Sequence, residues 1–372
     1  MTEHDAIIIG AGPAGSTLAR RLHQRGKRVL LLDKAEFPRN KVCAGWVTPE
    51  VLQSLDFDQS AYVASGRVLQ PIHGFHVGLI GQPGVAWQES GQPVSFGIRR
   101  CEFDGWLLDQ AHVDKQLGVK VKNIERQDGL WTVNGEWQAP LLIGAGGHFC
   151  PVAAKLGEGP GSHETVVAAK ELELELDADQ AAACKVGEDQ PQLWFCQDLK
   201  GYAWVFRKGN FINIGLGRED NHQLSDHLHD FVHWLEQSGV IPVLGDHYHG
   251  HAYLLYDHAR RPLTADGVLL IGDAAGLAYT QSGEGIRPAI ESALLAAQTL
   301  AEVPDFSAAS LALYEHKMAA RFGQRQQGRV ADSDWFGLKK AIARPLMRTR
   351  WFTREVVTKR WFLHQQLPAL AP

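Results

Sequence analysis

The stretch from Asp5 to Lys34, DAIIIGAGPAGSTLARRLHQRGKRVLLLDK, decides the fold. Its short apolar run, Ala6 to Ile9, predicts a buried strand. Gly10, Gly12 and Gly15 then space out G-x-G-x-x-G. The first permits a tight turn, the second lets a pyrophosphate approach the backbone, and the third lets a helix pack against the strand. That helix opens at Pro13 and Ala14, and its start offers N–H groups and a dipole to phosphate oxygens. It ends near Gly26, and KRVLLLD reads as a second parallel strand closing on Asp33, 23 residues after Gly10. A carboxylate there accepts hydrogen bonds from ribose hydroxyls, with Lys34 beside it. A glycine-rich turn alone holds nothing in particular. Strand, glycines, helix, strand and terminal acid in this order predict a dinucleotide site.

A second strand-to-helix unit lies some 260 residues further on, in LLIGDAAGLAYTQSGEGIRPAIES, Leu269 to Ser292. Gly272 and Asp273 follow an apolar run, and a helix is expected to start around Gly283, Gly285 and Ile286. A strand-end carboxylate can bind a ribityl hydroxyl, and the glycine loop can bring N–H groups to a pyrophosphate or an isoalloxazine edge. A nicotinamide nucleotide needs the first unit alone. FAD, elongated across a fold, uses both, so the pair predicts FAD.

The 372 residues are 45% hydrophobic and 21% charged, an ordinary globular balance with length for two domains. The net charge of −5 argues against a general nucleic-acid binder. From Lys317 onward, however, 12 Lys/Arg face 3 Asp/Glu, leaving 25 basic against 39 acidic residues elsewhere. A basic tail on an acidic body suits phosphates, anionic lipid or an acidic partner. Five cysteines, widely spaced and without a CxxC pair, fit a reducing compartment and not an iron–sulfur or zinc framework. No basic n-region precedes the first strand and no run approaches 18 apolar residues, so a cytoplasmic protein, peripheral to a membrane at most, is expected.

Between the two units, residues 65–98 and 165–256 read as turns and alternating strands. TVVAAKELELELD alternates apolar and charged residues, which predicts a strand with one wet face. QLWFCQD, GYAWVFRKG and NFINIGLG follow as short strands of an antiparallel sheet. Tyr202, Trp204 and Phe206 fall on one strand face and are either plain core or the wall of an apolar cavity. His229 and His233 at i,i+4, and His247, His249 and His251 on one strand face, form no recognisable metal set, and solvated positions are expected for them. No G-x-S-x-G elbow supports a hydrolase. The tail segment KKAIARPLMRTRWFTREVVTKRWFLHQQLPAL mixes cations with Trp351, Phe352, Trp361, Phe362 and Leu363. Such a helical stretch either lies at a membrane interface or packs on the body.

Four pieces, GAGPAG, RRCEFDGWLLDQA, LLIGAGG and GDAAGLAYTQSGEGI, resemble those of flavoproteins with the para-hydroxybenzoate hydroxylase fold. FPRNKVCAGWVTP and GYAWVFRKGNFINIGLG narrow the resemblance to the geranylgeranyl reductase family, over roughly residues 5 to 300. The resemblance implies that the K-x-C-x-G segment, with Lys41, Cys43, Ala44 and Gly45, lies near the flavin, and that Tyr202, Trp204 and Phe206 line a substrate cavity. Cys43 is then either a proton-side residue or a small buried hydrophobe, and Lys41 either a flavin-side cation or a surface lysine. In R-x-x-F-D, Arg100 is assigned to FAD, with Arg99 as the other candidate. Three positions depart from the group's pattern: Gly146 stands where an aspartate is usual, Arg207 where a proline follows the aromatic strand, and YTQSGEG lacks the usual proline.

The chain is thus expected to be α/β, α+β overall. A Rossmann-like FAD-binding domain (1–64, 99–164 and 257–315) would carry an inserted antiparallel-sheet substrate domain (65–98 and 165–256) and a basic helical tail (316–372). The expected activity is reduction of a carbon–carbon double bond in an apolar, polyene or isoprenoid-like small molecule or lipid by hydride from reduced flavin. The flavin's reductant is left open between NADPH, NADH and a reduced electron-donor protein. The alternatives are an aromatic hydroxylase, a halogenase-like enzyme, and an electron carrier to quinone.

Overall fold

The computed structural model describes residues 2–157, 166–219, 223–245, 247–325 and 344–371. The elements that position the site are, in chain order, β1 (Ala6–Ile9), α1 (Pro13–Gln24), β2 (Val29–Leu32), β3 (Gly74–Leu79), β4 (Val85–Gln88), α2 (Arg100–Asp109), β5 (Asp114–Gln116), β6 (Leu141–Gly144), β7 (Val166–Glu175), β8 (Gln192–Phe195), β9 (Gly201–Lys208), β10 (Phe211–Arg218), α3 (Leu224–Gln237), β11 (His249–Leu254), β12 (Thr264–Ala265), β13 (Val268–Leu270), α4 (Ile286–Glu302) and α5 (Ala308–Phe322).

Six strands build the first sheet in the order β12-β13-β6-β1-β2-β5. All neighbours run parallel except the edge hairpin β12–β13. Every residue of β1, β2, β6 and β13 is buried. Such unbroken apolar runs suit a parallel sheet covered on both faces. One cover is α1, whose Leu18, Ala19 and Leu22 join the core with Ala293, Ala296 and Ala297 of α4. The register aligns Ile9 with Leu32 and Gly144, and Gly144 with Leu270, so four strand ends far apart in sequence open onto one edge. Two small sheets lie alongside. One joins Thr2–Glu3, Ile124–Gln127, Leu130–Val133 and Trp137–Ala139; the other joins Trp46–Val47, Leu69–Ile72 and Ser95–Ile98.

The second large sheet has the order β11-β7-β10-β9-β8-β3-β4, antiparallel except for the β3–β8 pair. Ala203 and Val205 of β9 and Ile212, Ile214 and Leu216 of β10 pack against Leu228, Phe231 and Leu235 of α3. The other face turns toward the first sheet. This corrects the expectation of a wet face on β7. Ala168 and Leu174 face the α3 side, and Glu171, 6% exposed, is buried on the opposite face with Glu173 beside it. The acids are held there by partners on neighbouring strands, Asn213 of β10 and Lys208 of β9.

The tail reading is resolved for residues 344–371; residues 326–343, including Lys339 and Lys340, lie outside the described residues. Phe352–Phe362 is a π-helix. Phe352, Val357, Phe362 and Leu363 bury into a cluster with Trp46, Trp204 and Phe206, while Trp351 stays 66% exposed. Arg287 of α4 donates to the carbonyls of Leu367 (2.6 Å) and Pro368 (3.2 Å), and Arg321 of α5 to that of Pro368 (2.8 Å). The segment therefore packs on the body. No helix among the described residues is long and apolar enough to cross a membrane.

The closest backbone approach in the first sheet is at Gly15, where a Cβ would lie 1.8 Å from the Gly10 carbonyl oxygen. Gly15→Ala should therefore cost about 1–3 kcal/mol by overpacking and lower the melting temperature by several degrees. A thermal melt matching the wild type would show that the helix can back away without loss.

Candidate active site

The shared edge of the first sheet and the inner face of the second enclose a cavity of about 690 Å3, within the roughly 300–1,000 Å3 usual for small-molecule sites. Its walls include Gly10, Gly12, Pro13, Ala14, Asp33, Lys34, Lys41, Cys43, Ala44, Gly45 and Arg100 from the first third of the chain. Tyr202, Trp204, Gly272, Asp273, Gly283, Gly285 and Ile286 join them from the rest. Two expected residues are elsewhere. Gly15 lies under the turn against Gly10. Phe206 stacks on Trp46, with ring centroids 5.2 Å apart and planes within 7°, so Trp46 and not Phe206 reaches the cavity.

The glycine turn is braced by Asp33, which accepts from the Ala11 N–H (2.7 Å) and the Ala35 N–H (2.9 Å). No side chain caps α1, and Gly12 has only the Arg39 guanidinium near the space a Cβ would take, at 3.2 Å. Arg39 lines the cavity and pairs with Asp104 at 3.2 Å. Arg100 binds the same buried carboxylate through Nε at 2.8 Å and a terminal nitrogen at 2.9 Å. The second candidate, Arg99, instead contacts Glu102 (2.7 Å), Glu173 (3.3 Å) and the Phe211 ring. At the other unit Asp273 meets a histidine and, through it, a lysine. His251 Nε2 lies 3.7 Å from its carboxylate and also contacts the Lys41 ammonium. Burial alone would raise the Asp273 carboxyl, but His251 and Lys41 outweigh it and hold it down at about 2. Burial drives Lys41 down to about 8 against the pull of Asp273.

The aromatic side is made by Tyr202, Trp204, Trp46 and Tyr253. Tyr202 donates its hydroxyl to the Ser282 carbonyl at 2.5 Å. Trp204 lies flat over β10 because Gly215 has no side chain; a Cβ there would sit 2.2 Å from the indole ring. Cys43 lines the same cavity, with its sulfur 3.4 Å from the Gly45 nitrogen. Glu284, at the start of α4, lines the cavity as well and accepts from the Arg287 N–H at 2.6 Å. Burial raises its carboxyl to about 7.

The departures from the family pattern have physical counterparts. A Cβ on Gly146 would already be 3.3 Å from Cys150 and 3.4 Å from Pro151, which leaves little room for an aspartate. Arg207 turns away from the cavity to Glu188 at 3.2 Å. His229 meets the Tyr248 ring edge-on and His233 bonds Gln237, both away from the cavity. His251, expected to be solvated, is instead a cavity residue. It was missed with Arg39, Trp46, Tyr253 and Glu284. Arg39 and Trp46 flank K-x-C-x-G and Glu284 sits inside G-E-G-I, so proximity to a motif was the available signal.

These residues fit FAD. A long cavity joins two strand-to-helix turns, each with a strand-end carboxylate, and Gly12 and Gly147 leave their Cβ positions open or met only by a cation. Arg39, Lys41 and Arg100 line the cavity and would supply positive charge for a diphosphate. Lys41 keeps its proton below about 8 and loses it as pH rises. FAD affinity, measured by fluorescence quenching, should therefore fall roughly fivefold between about pH 7 and pH 9, and Lys41→Met should flatten that dependence. Equal pH dependence in both proteins would remove Lys41 from the binding site.

Two family models match the chain: an NAD(P)-binding Rossmann-like domain over residues 8–66 and an FAD binding domain over residues 110–326. Digeranylgeranylglycerophospholipid reductase 1 of Methanococcoides burtonii is 28% identical over 359 residues, covering 86% of this chain and 81% of the relative. Among solved structures, a geranylgeranyl bacteriochlorophyll reductase-like protein from Thermoplasma acidophilum superposes with TM-score 0.73 at 20% identity, covering 100% of this chain and 94% of the other. A flavin-dependent halogenase follows at TM-score 0.68 and 20% identity, covering 94% and 72%. At these identities the two structures show a shared fold. The chain belongs to the FAD-binding domain family and is an FAD-dependent oxidoreductase, similar along most of its length to digeranylgeranylglycerophospholipid reductases.

Proposed function

We propose that this flavoprotein reduces carbon–carbon double bonds of an apolar, isoprenoid-like substrate. The observation that carries the reading is that Cys43, Tyr202, Trp204, Trp46 and Tyr253 share one cavity with both FAD-binding turns. Aromatic faces of this kind orient an apolar chain and exclude water without offering it charge. The 28%-identical relatives carry reductase names of this kind, which supports the same reading. When bound, reduced FAD supplies the hydride. Tyr202 and Trp204 hold the substrate, and Tyr202 is fixed for that role by its bond to the Ser282 carbonyl. Cys43 is assigned to the proton side, where Glu284 also carries a proton near neutral pH because burial raises it. Phe206 acts from behind, as the support on which Trp46 stacks. In this reading the first sheet holds cofactor and the second supplies the substrate wall.

Holoprotein reduced under argon with NADPH, NADH or dithionite, then mixed with a polyprenyl lipid, should recover its oxidised flavin absorbance and yield product two mass units heavier per bond reduced. Flavin that stays reduced across a panel of polyprenyl substrates would sink the reading. NADPH oxidation triggered in air by a phenol would point to hydroxylation instead.

A lipid substrate also gives the tail a role. Trp351, 66% exposed, follows exposed Arg348 and Arg350. This combination suits an anionic lipid surface. In flotation with anionic vesicles the wild type should rise with the lipid and Trp351→Ala should remain below. Equal behaviour of the two would take Trp351 out of that role.

A further inference from the structure

A cluster of buried polar groups lies directly beneath the cavity wall, and the chemistry above makes no use of it. It consists of Glu171 and Glu173 on β7, Lys208 on β9 and Asn213 on β10, with Asn213 and Lys208 both 0% exposed. Lys208 donates to Glu173 at 2.8 Å. Asn213 is the hub. Its oxygen accepts from the Trp204 indole N–H at 2.7 Å. Its amide nitrogen faces Glu173 at 3.0 Å, the Cys43 carbonyl at 3.3 Å and Glu171 at 3.4 Å. Glu171 in turn accepts from the Cys43 N–H at 2.7 Å.

Both backbone polar groups of Cys43 are therefore held by side chains rooted in the second sheet, and one of those side chains also holds the indole of the facing wall. The rest of the sheet accommodates this arrangement. Gly215, next on the same face of β10, leaves room for the ring, and Gly45 passes so near Lys208 that a Cβ there would lie 2.6 Å from its ammonium nitrogen. A cluster serving stability alone has no need of such an arrangement, because well-packed apolar residues commonly serve as well as a buried ionic group.

We propose that Asn213 and Glu171 are positioning residues that lock the Cys43 loop and the Trp204 indole into one unit, setting the gap between thiol and aromatic wall through which a substrate must pass. Neither Asn213 nor Glu171 lines the cavity. The proposal rests on the reading that substrate lies between Cys43 and Trp204, but its test needs no substrate.

The test follows alkylation of Cys43 by iodoacetamide in the FAD-loaded protein, with Cys101, Cys150, Cys184 and Cys196 as internal controls. Glu171→Leu removes the acceptor of the Cys43 N–H and Asn213→Leu the partner of its carbonyl, and each should speed Cys43 alkylation about tenfold, leaving the controls unchanged. Glu171→Gln keeps an oxygen for the Cys43 N–H and should stay within about twofold of wild type on the same scale. Trp204→Phe deletes the indole N–H at the far side of the hub and should also speed Cys43, though it touches no bond of the loop. This variant decides the matter if the leucine substitutions prevent folding, which faster alkylation at all five cysteines would reveal. Unchanged Cys43 reactivity in Trp204→Phe, or in the leucine variants with controls unchanged, would overturn the proposal. So would an equal rise in Glu171→Gln and Glu171→Leu. Failure of polyprenyl turnover with these shifts intact would instead count against the substrate assignment alone.

Discussion

No carbon atom fits between the Gly10 carbonyl and the helix that follows it, since a Cβ on Gly15 would come within 1.8 Å of that oxygen. The remainder of the site depends on this contact. It brings the start of α1 onto the end of β1, where an uncapped first turn can face a diphosphate. Asp33 then ties the turn to the end of β2 through the Ala11 N–H, while its other oxygen orders its own loop through Ala35. Because the sheet is parallel, β6 and β13 finish on the same edge, and Asp273 arrives opposite Asp33 although the chain reaches it late.

Charge in the cavity is organised around carboxylates that do not reach solvent freely. Asp104 holds Arg39 and Arg100 side by side, and Asp273 lies beside His251, which in turn contacts Lys41. Asp104 lets two guanidinium cations gather in a confined space where, unpaired, they would repel one another and lose hydration. A doubly charged cofactor bound here would meet positive groups already oriented by the protein.

What could be read from the sequence was local. The glycine turn, Asp33, the Asp273 turn and the strand face shared by Tyr202 and Trp204 all follow from spacing within one element. Alternation along β7 correctly paired Glu171 with Glu173 but could not say which face water covers. That depends on Asn213 and Lys208, contributed by other strands. Parity likewise placed Phe206 with Tyr202 and Trp204 but could not show where along the strand the cavity ends, because Trp46 comes from elsewhere to cover it. His251 resembled its exposed neighbour His249, and only the meeting of β11 with Lys41 and Asp273 separates them. The aromatic tail was legible as an apolar surface seeking cover. The arginines that capture its carbonyls, Arg287 and Arg321, sit on helices with no local signature of that role.

The packing of Phe362 against Tyr202 and Trp46 has a consequence for biosynthesis. A nascent chain emerges in order, and domains begin to fold as they appear. The strand bearing Tyr202 and Trp204 leaves the ribosome long before the residue that covers it, so that wall stands bare for much of translation. Flavin capture and wall closure are then separate events in the life of each molecule, and the interval between them is when the growing polypeptide has most need of a chaperone.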